Sequence, residues 1–305
     1  MQTYDCEVLF RPETAELRFL PEGPINLGNG QFSWVAIQHG ANALVGSLNT
    51  FDLATGINSS YELVGRPGFA FSTSVPNIFL IGLERQIVTF DLLSGECTLV
   101  KDEIDEDVEG TIINDGVMFH EGIVFGTKVL QPKTKKAGLY VLRLDPPSLA
   151  RLRSDQTCSN GKVILEDANP LRFLDIDSPA KTVVEYRLDG NMLSEPRIVL
   201  DFRHDQASPD GMVATPDGQS VIIAFYNPHD VAHGEARQYS LSTGQIECVW
   251  KTDRAPQVTC PLLIEYQAQV KLVLTTAAEH MPPVKLKRYP HSGCLFIGDT
   301  SFRSL

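Results

Sequence analysis

The chain has 305 residues, 43% of them hydrophobic, and a formal net charge of −12 at pH 7. All-β folds of this length often form a single domain with a large core, so we expect one domain over residues 1–305. The negative charge argues against nucleic acid and anionic membranes as partners, because both repel a negative protein.

The N-terminal segment, residues 1–6, lacks a basic start followed by an apolar run, and no stretch of eighteen apolar residues occurs. The sequence therefore predicts neither a signal peptide nor a membrane span, and we expect a cytoplasmic protein. The six cysteines are far apart, which favours reduced thiols over a zinc site or a redox motif; they lie at positions 6, 97, 158, 248, 260 and 294.

Short apolar runs follow one another along the chain and end in turn residues. They are rich in β-branched residues and too short for helices, so they predict strands. The segment 147–154 predicts at most one or two helical turns. Representative runs occupy residues 35–37, 78–81, 122–125, 221–224 and 272–274.

One phrase recurs, in which an aromatic residue is followed by alternating residues and a polar turn. Its intervals are 39 to 57 residues, about the size of one four-stranded propeller blade. The repeat predicts an all-β, six-bladed β-propeller; the alternative is a chance series of strand-turn phrases in a large sandwich. The aromatic residues are Phe51, Phe90, Tyr140, Tyr186, Tyr239 and Phe296.

Four polar side chains stand at a similar position in the repeat. Glu22 and Asp210 precede their aromatic residues by 29 positions, and Asn114 and Asn160 precede theirs by 26. Adjacent glycines would allow close backbone approach at the centre of a ring. Carboxylate and amide oxygens suit Ca²⁺, Mg²⁺ or Mn²⁺ and, less selectively, Zn²⁺. The alternative is a set of turns, as we interpret Asp217, because Asn-Gly and Asp-Gly are common turn pairs.

These residues give the chain a likeness to a known family over nearly its whole length. It resembles the senescence marker protein family, which includes regucalcin, gluconolactonase and luciferin-regenerating enzyme. The order and spacing of several phrases carry the resemblance: Glu22-Gly23-Pro24, Asn114-Asp115-Gly116, Gly126-Thr127, Ser159-Asn160-Gly161, Asp177-Ser178-Pro179, Pro209-Asp210-Gly211-Met212 and Tyr226-Asn227.

The resemblance implies a six-bladed propeller with one divalent metal ion, most often Ca²⁺. Glu22, Asn160 and Asp210 would be its direct ligands, and Asn114 would hold substrate or a water. Lys128, which replaces a family methionine, would join the substrate site. A family arginine is replaced by Ile112 and an aspartate by Phe119, and a family glutamate has no match in residues 128–136. These departures weaken the case for gluconolactone or gulonolactone as substrate.

We therefore expect a metal-dependent lactonase that acts on a small-molecule lactone. The ion would polarise the ester carbonyl, Asp210 would handle the proton of the attacking water, and Asn114 would orient the substrate. The alternative is a non-catalytic, calcium-binding propeller of the regucalcin type. A scaffold for protein partners rests on the fold alone. The sequence does not predict an oligomeric state.

Three further clusters predict no site. The acidic run over residues 102–109 lacks the spacing of an EF-hand and predicts a solvated loop. His229 and His233 follow Pro228, which favours an exposed loop over a zinc site. The basic tract of Lys133, Lys135 and Lys136 is typical of a solvated turn, although it could also face an acidic substrate. Trp34 and Trp250 are predicted to be core residues.

Overall fold

The structure is a computed structural model, and it describes residues 1–131 and 134–305. Strands dominate it, as the short β-branched runs predict. Helical structure among the described residues is confined to a 3-10 turn, Ser178–Ala180, and one six-residue helix, α1 (Pro283–Arg288). Within these ranges no helix has the length and apolar character needed to cross a membrane.

The strands are, in chain order, β1 (Gln2–Phe10), β2 (Pro21–Gly28), β3 (Gln31–Ala36), β4 (Gly46–Asp52), β5 (Ile57–Leu63), β6 (Pro67–Ser72), β7 (Ile78–Leu83), β8 (Gln86–Asp91), β9 (Cys97–Lys101), β10 (Thr111–Phe119), β11 (Gly122–Val129), β12 (Ala137–Leu144), β13 (Pro147–Gln156), β14 (Ser159–Glu166), β15 (Leu171–Asp177), β16 (Thr182–Asp189), β17 (Met192–Leu193), β18 (Arg197–Asp201), β19 (Ser208–Ala214), β20 (Ser220–Tyr226), β21 (His233–Ser240), β22 (Ile246–Asp253), β23 (Val258–Tyr266), β24 (Gln269–Thr276) and β25 (Leu295–Asp299).

Consecutive strands pair into four-stranded sheets. Four sheets have the orders β2-β3-β4-β5, β6-β7-β8-β9, β10-β11-β12-β13 and β14-β15-β16-β17, with β18 also paired to β16. A fifth sheet has eight strands in the order β19-β20-β21-β22-β1-β25-β24-β23. Such consecutive four-stranded units build β-propellers, so the fold is all-β and β-propeller-like.

The chain divides into two compact units, which are described separately. The first contains Met1–Ala70 and Asp210–Leu305. In it β1 pairs in parallel with β22 through Gln2–Cys6 and then antiparallel with β25 from Glu7 onward. The N-terminal strand thus completes the set β23-β24-β25. Trp34 and Trp250, at 0% and 1% exposure, lie in two apolar clusters of this unit, which confirms them as core residues.

The second unit contains Phe71–Pro209. One of its apolar clusters joins residues of the β10–β13 and β14–β17 sheets, among them Phe119, Phe173 and Tyr186. Phe119, which replaces a family aspartate, therefore contributes to the core.

The segment 147–154 is not helical, so that prediction is wrong. It forms most of β13, which pairs antiparallel with β12. Ala150 and Leu152 pack against the apolar cluster of the second unit. Their spacing of two residues fits a strand with one covered face, and the pairing with β12 overrides the weak helical tendency of the segment.

The repeated aromatic residues all occupy the same place in the fold. Each lies in the third strand of its set, namely β4, β8, β12, β16, β21 or β25, and each is at most 5% exposed. The turn after the phrase is also as predicted. Asp52 accepts hydrogen bonds from the backbone N–H groups of Ala54 and Thr55 at 2.8 and 3.1 Å, and Gly56 follows with a φ of 69°.

Candidate functional site

The four polar side chains of the predicted site lie near the beginning of the first strand of a set. Glu22 is in β2, Asn114 in β10, Asn160 in β14 and Asp210 in β19. The alternative that these phrases are turns is therefore wrong. Asp217, in contrast, is an exposed turn residue, as predicted, and accepts hydrogen bonds from Thr215 Oγ1 and the Gln219 N–H.

In the second unit, Asn114 and Asn160 meet around Cys158. Asn114 Nδ2 donates to the carbonyl of Ser159 at 2.8 Å, and Asn160 Nδ2 donates to Ser178 Oγ at 3.0 Å. Both amides also contact Cys158 Sγ, at 3.9 and 3.8 Å. These bonds use the NH₂ groups, so each amide presents its oxygen as the remaining acceptor.

Lys128 lies beside the same residues. Its backbone forms an isolated β-bridge with Cys158, and its side chain is half-buried. Its partner in β10 is Ile112, which is 1% exposed. The position of the family arginine is thus an apolar core position in this chain.

A buried ion pair, absent from our sequence-based prediction, supports β14. Lys162 Nζ lies 3.0 Å from Asp175 Oδ1, and both side chains are fully buried. Lys162 also donates to Ser159 Oγ at 2.9 Å and to the Asn160 carbonyl at 2.7 Å. The ammonium therefore fixes the backbone that carries Asn160.

Asp177 fixes the entry into β14 from the other side. Its Oδ1 accepts the backbone N–H groups of Thr157 and Cys158 at 3.2 and 2.9 Å. Burial raises the pKa of Asp177, and these two hydrogen bonds partly offset the rise. Asp177 thus holds the chain just before Asn160, in agreement with its place in a family phrase.

In the first unit, three strands bring the surroundings of Asp210 and Glu22 together. A Cβ on Gly211 would lie 2.5 Å from Cys260 Sγ and 2.8 Å from Cys260 Cα, so β19 packs directly on β23. Thr259, the residue before Cys260 in β23, donates through Oγ1 to the carbonyl of Pro21 at 2.7 Å. Gly211 thus allows the close approach of β19 to β23, while its approach to the centre of a ring stays a prediction.

Tyr226, Gln257 and Glu279 form a further polar group near Asp210. Burial raises the pKa of Tyr226, and the negative charges of Glu279 and Asp210 raise it further. The phenol therefore stays protonated at neutral pH. Gln257 Nε2 donates to Tyr226 Oη and to the Glu279 carbonyl, the latter at 3.2 Å. Tyr226 belongs to a family phrase, whereas no sequence signal marked Gln257 and Glu279.

The chemistry of the predicted ligands fits a hard cation. Asp210 is 7% exposed and Asn160 is 5% exposed, so oxygen donors of both kinds are withdrawn from water. In the part of the chain that the structure describes, no three His, Cys, Asp or Glu side chains form a group that could hold a metal ion. The predicted set contains two carboxylates, so its third ligand has to be an amide oxygen, as in many Ca²⁺ sites.

The remaining clusters have mostly structural surroundings. The acidic run is largely exposed, but Asp105 is 1% exposed and accepts a hydrogen bond from Tyr140 Oη at 2.6 Å. His229 lies in an exposed loop, as predicted, whereas His233 begins β21. Lys133 lies outside the described residues, and Lys135 is exposed. All six cysteines are free thiols, as predicted.

The chain is similar to two proteins named as lactonases. The chain is 26% identical over 283 residues to the "Putative sugar lactone lactonase YvrE" of Bacillus subtilis (strain 168), covering 90% of this chain and 89% of that protein. It is 26% identical over 233 residues to the L-arabinolactonase of Azospirillum brasilense, covering 75% and 72% of the two chains.

Among solved structures, the fold is similar to that of regucalcin from Agrobacterium tumefaciens str. C58, a calcium-binding protein. The TM-score is 0.81 at 21% identity, and the match covers 100% of this chain and 99% of the other. The family model described as the SMP-30/Gluconolactonase/LRE-like region matches residues 20–278. This chain therefore belongs to the SMP-30/gluconolactonase/LRE-like family.

Proposed function

We propose that the protein is a metal-dependent lactonase that hydrolyses a small-molecule lactone. The observation that carries the proposal is the retention, in a member of this family, of Glu22, Asn160 and Asp210 near the beginnings of β2, β14 and β19. Relatives named as lactonases support the reaction class.

We further propose a single six-bladed ring over residues 1–305. Six sets of strands with a buried aromatic residue in each third strand support this count. In this arrangement β19-β20-β21-β22 is one blade. The set β23-β24-β25, completed by the end of β1, is another.

The proposed ligands are Glu22, Asn160 and Asp210, and Ca²⁺ is the ion that the hard oxygen donors favour. Mg²⁺, Mn²⁺ and Zn²⁺ are the other candidates. A regucalcin of similar fold that binds calcium supports this choice. A bound divalent ion would polarise the ester carbonyl and lower the pKa of water.

The side chains of the protein then bind the substrate and move the proton. Asp210 accepts the proton of the attacking water, which is the role of a general base. Asn114, whose NH₂ group is held by the Ser159 carbonyl, orients a substrate oxygen, and Lys128 adds a positive charge beside it. Lys162 and Ser178 hold Asn160 in place through the hydrogen bonds described above.

The first test is a metal analysis of the purified protein, followed by assays with aliphatic, aromatic and sugar lactones in the presence of each candidate ion. We expect Asp210→Ala to lower metal-dependent hydrolysis by about 10²-fold or more. Asp217→Ala, which removes an exposed carboxylate from the turn after β19, is the matched control and retains activity. Full activity of Asp210→Ala would refute the assignment.

The second candidate is a non-catalytic, calcium-binding propeller. The buried Ile112 in place of a family arginine favours this alternative, because an isoleucine side chain cannot donate a hydrogen bond to a sugar hydroxyl. Metal binding that is lost in Asp210→Ala, together with no turnover of any lactone in the panel, would select this alternative.

A further inference from the structure

A cavity of about 710 Å³ lies in the first unit, between the segment before β2 and the connection from β24 to β25. Its volume is in the range typical of small-molecule sites. Its walls combine apolar and cationic side chains: Phe19, Met281 and Leu286 on one hand, and Arg11, Arg18 and Lys287 on the other.

The cations of this cavity are unusual in a chain with 38 acidic and 26 basic residues. The neighbouring Lys285 and Arg288 of α1 pair with Asp230 at 3.7 and 2.9 Å. In contrast, no ion pair links Arg11, Arg18 or Lys287 to a carboxylate within residues 1–131 and 134–305. Arg18 interacts with the Glu16 carboxylate only over a longer distance, so the three cations of the cavity have no directly paired carboxylate among the described residues.

The charges of Arg11 and Arg18 both act on the thiol of Cys294. Burial raises the pKa of the Cys294 thiol, and Arg11 and Arg18 partly offset that rise. Arg18 is also held in position, because its Nε donates to the Thr14 carbonyl at 3.4 Å and its own carbonyl accepts from the Ala278 N–H at 3.2 Å. Both guanidinium groups therefore lie within electrostatic reach of Cys294, which is two residues from the cavity residue Ser292.

One residue of the cavity lining has a buried hydroxyl without a partner. Ser292 is 3% exposed and lines the cavity, and its Oγ has no hydrogen-bond partner among the described residues. A buried hydroxyl without a partner is unfavourable, so a ligand oxygen that reached Ser292 Oγ would supply the missing hydrogen bond.

The apolar wall is fixed by contacts on its far side. Lys285 donates to the Pro228 carbonyl, and Asp230 pairs with Lys285 and Arg288. These contacts hold α1, which contributes Leu286 and Lys287 to the cavity. The cavity is therefore formed before any ligand binds, which reduces the ordering cost of binding.

We propose that this cavity binds a soluble organic carboxylate with an apolar body. Arg11, Arg18 and Lys287 receive the carboxylate, Ser292 donates to one of its oxygens, and Phe19, Met281 and Leu286 cover the apolar body. Cations would meet like charge, and small anions such as acetate would leave the apolar wall uncovered. This ligand site goes beyond the proposed lactonase activity and does not depend on it.

The test is isothermal titration calorimetry of the metal-stripped full chain with octanoate, acetate and octylammonium. We expect octanoate to bind at least tenfold more tightly than the other two, because only octanoate matches both the charge and the apolar wall. Equal binding of octylammonium and octanoate would overturn the proposal, since the cations would then have no role.

Variants locate the site. Ala15→Phe places a ring in the cavity, and the double variant Arg11→Gln/Lys287→Gln removes two exposed charges; each is expected to weaken octanoate binding at least fivefold. Ala54→Phe and Arg187→Gln are the controls: they change an exposed alanine and an exposed arginine outside the cavity, and we expect octanoate binding to stay unchanged in both. Should either cavity variant fail to fold, Leu286→Gln, at a partly exposed position, makes the same test.

One result would separate this site from the proposed lactone site. Octanoate binding that persists in Ala15→Phe but disappears in Asp210→Ala would overturn the cavity proposal. Loss of binding in Ala15→Phe, with Asp210→Ala still binding octanoate, supports it whether or not the protein hydrolyses lactones.

Discussion

The two units stabilise their candidate site residues by different means. In the second unit, Asn114 and Asn160 are neutral, and a fully buried ion pair between Lys162 and Asp175 holds the strand that carries Asn160. In the first unit, Asp210 is itself a carboxyl group, and the close backbone packing of Gly211 and the hydroxyl of Thr259 hold its strand and its neighbours. A buried ion pair thus supports the strand of Asn160, whereas backbone packing and a hydroxyl hydrogen bond, both neutral contacts, support the strands around Asp210.

This difference has a physical reason. A buried carboxylate needs a counter-charge, and Asp175 finds it in Lys162. For Asp210, we propose that the bound metal ion supplies positive charge. The comparison predicts that loss of the ion pair destabilises the protein most, and that changes around Asp210 affect function as much as stability.

The largest effect is expected from Asp175→Leu. It leaves the buried ammonium of Lys162 without its counter-charge, which costs about 3–5 kcal/mol in the free energy of unfolding. The double variant Lys162→Met/Asp175→Leu should recover most of this loss, because apolar groups of similar size then fill the site. Urea denaturation measures both. A double variant as unstable as Asp175→Leu would mean that packing, and not charge, is lost.

A smaller effect is expected from Gly211→Ala in the first unit. The new Cβ would lie 2.8 Å from Cys260 Cα, and overpacking of this kind costs about 1–3 kcal/mol. Because the strand carries Asp210, metal affinity should fall as well. Gly218→Ala is the control: its φ is 66° and nothing lies near its Cβ, so it costs about 1 kcal/mol and leaves metal affinity unchanged. Equal metal affinities of wild type and Gly211→Ala would show that the packing of β19 on β23 does not position Asp210 for metal binding.

Thr259→Val tests the hydroxyl hydrogen bond that joins β23 to Pro21 in the first unit. It removes the donor to the Pro21 carbonyl and the contact with Thr275 Oγ1 at 2.7 Å, and should cost about 1–2 kcal/mol in the free energy of unfolding. The value should be clearly below that of Asp175→Leu, measured by the same urea denaturation. If the two losses are equal, the contrast between the units does not hold.

The smallest effect concerns His120 on the surface of the second unit. The hydrogen bond that protonated His120 donates to the Asp167 carboxylate raises the pKa of His120, and Glu121 contributes less. Protonated His120 is favoured in the folded state, so this contribution to stability is present below the pKa of the unfolded state. It is lost as pH rises through the higher folded-state pKa.

NMR titration of His120 measures this shift. Asp167→Asn should lower the pKa of His120, and Glu121→Gln should lower it by less. The reverse order would show that Glu121 is the main partner. Because His120 is exposed, the change in stability is expected to be slight.

The repeat made much of the fold predictable. Its aromatic residues fall on the third strand of every set because an alternating strand must bury one face. That alternation is visible in a few neighbouring residues of the sequence. The positions of Glu22, Asn114, Asn160 and Asp210 in first strands follow from the same count. The segment 147–154 was mispredicted because its weak helical tendency is overridden by pairing with the adjacent strand β12 and by packing of Ala150 and Leu152 on the apolar cluster.

The sequence by itself determined the strand repeat, the family and the polar residues at a similar place in four of the six sets, because spacing and side-chain chemistry are local properties. Only the tertiary structure decided that Lys162 pairs with Asp175, that Gln257 and Glu279 join Tyr226, and that Arg11, Arg18 and Lys287 share a cavity. These contacts join residues that are far apart or unremarkable in sequence, and their energies arise from burial and distance, which exist only once the chain has folded.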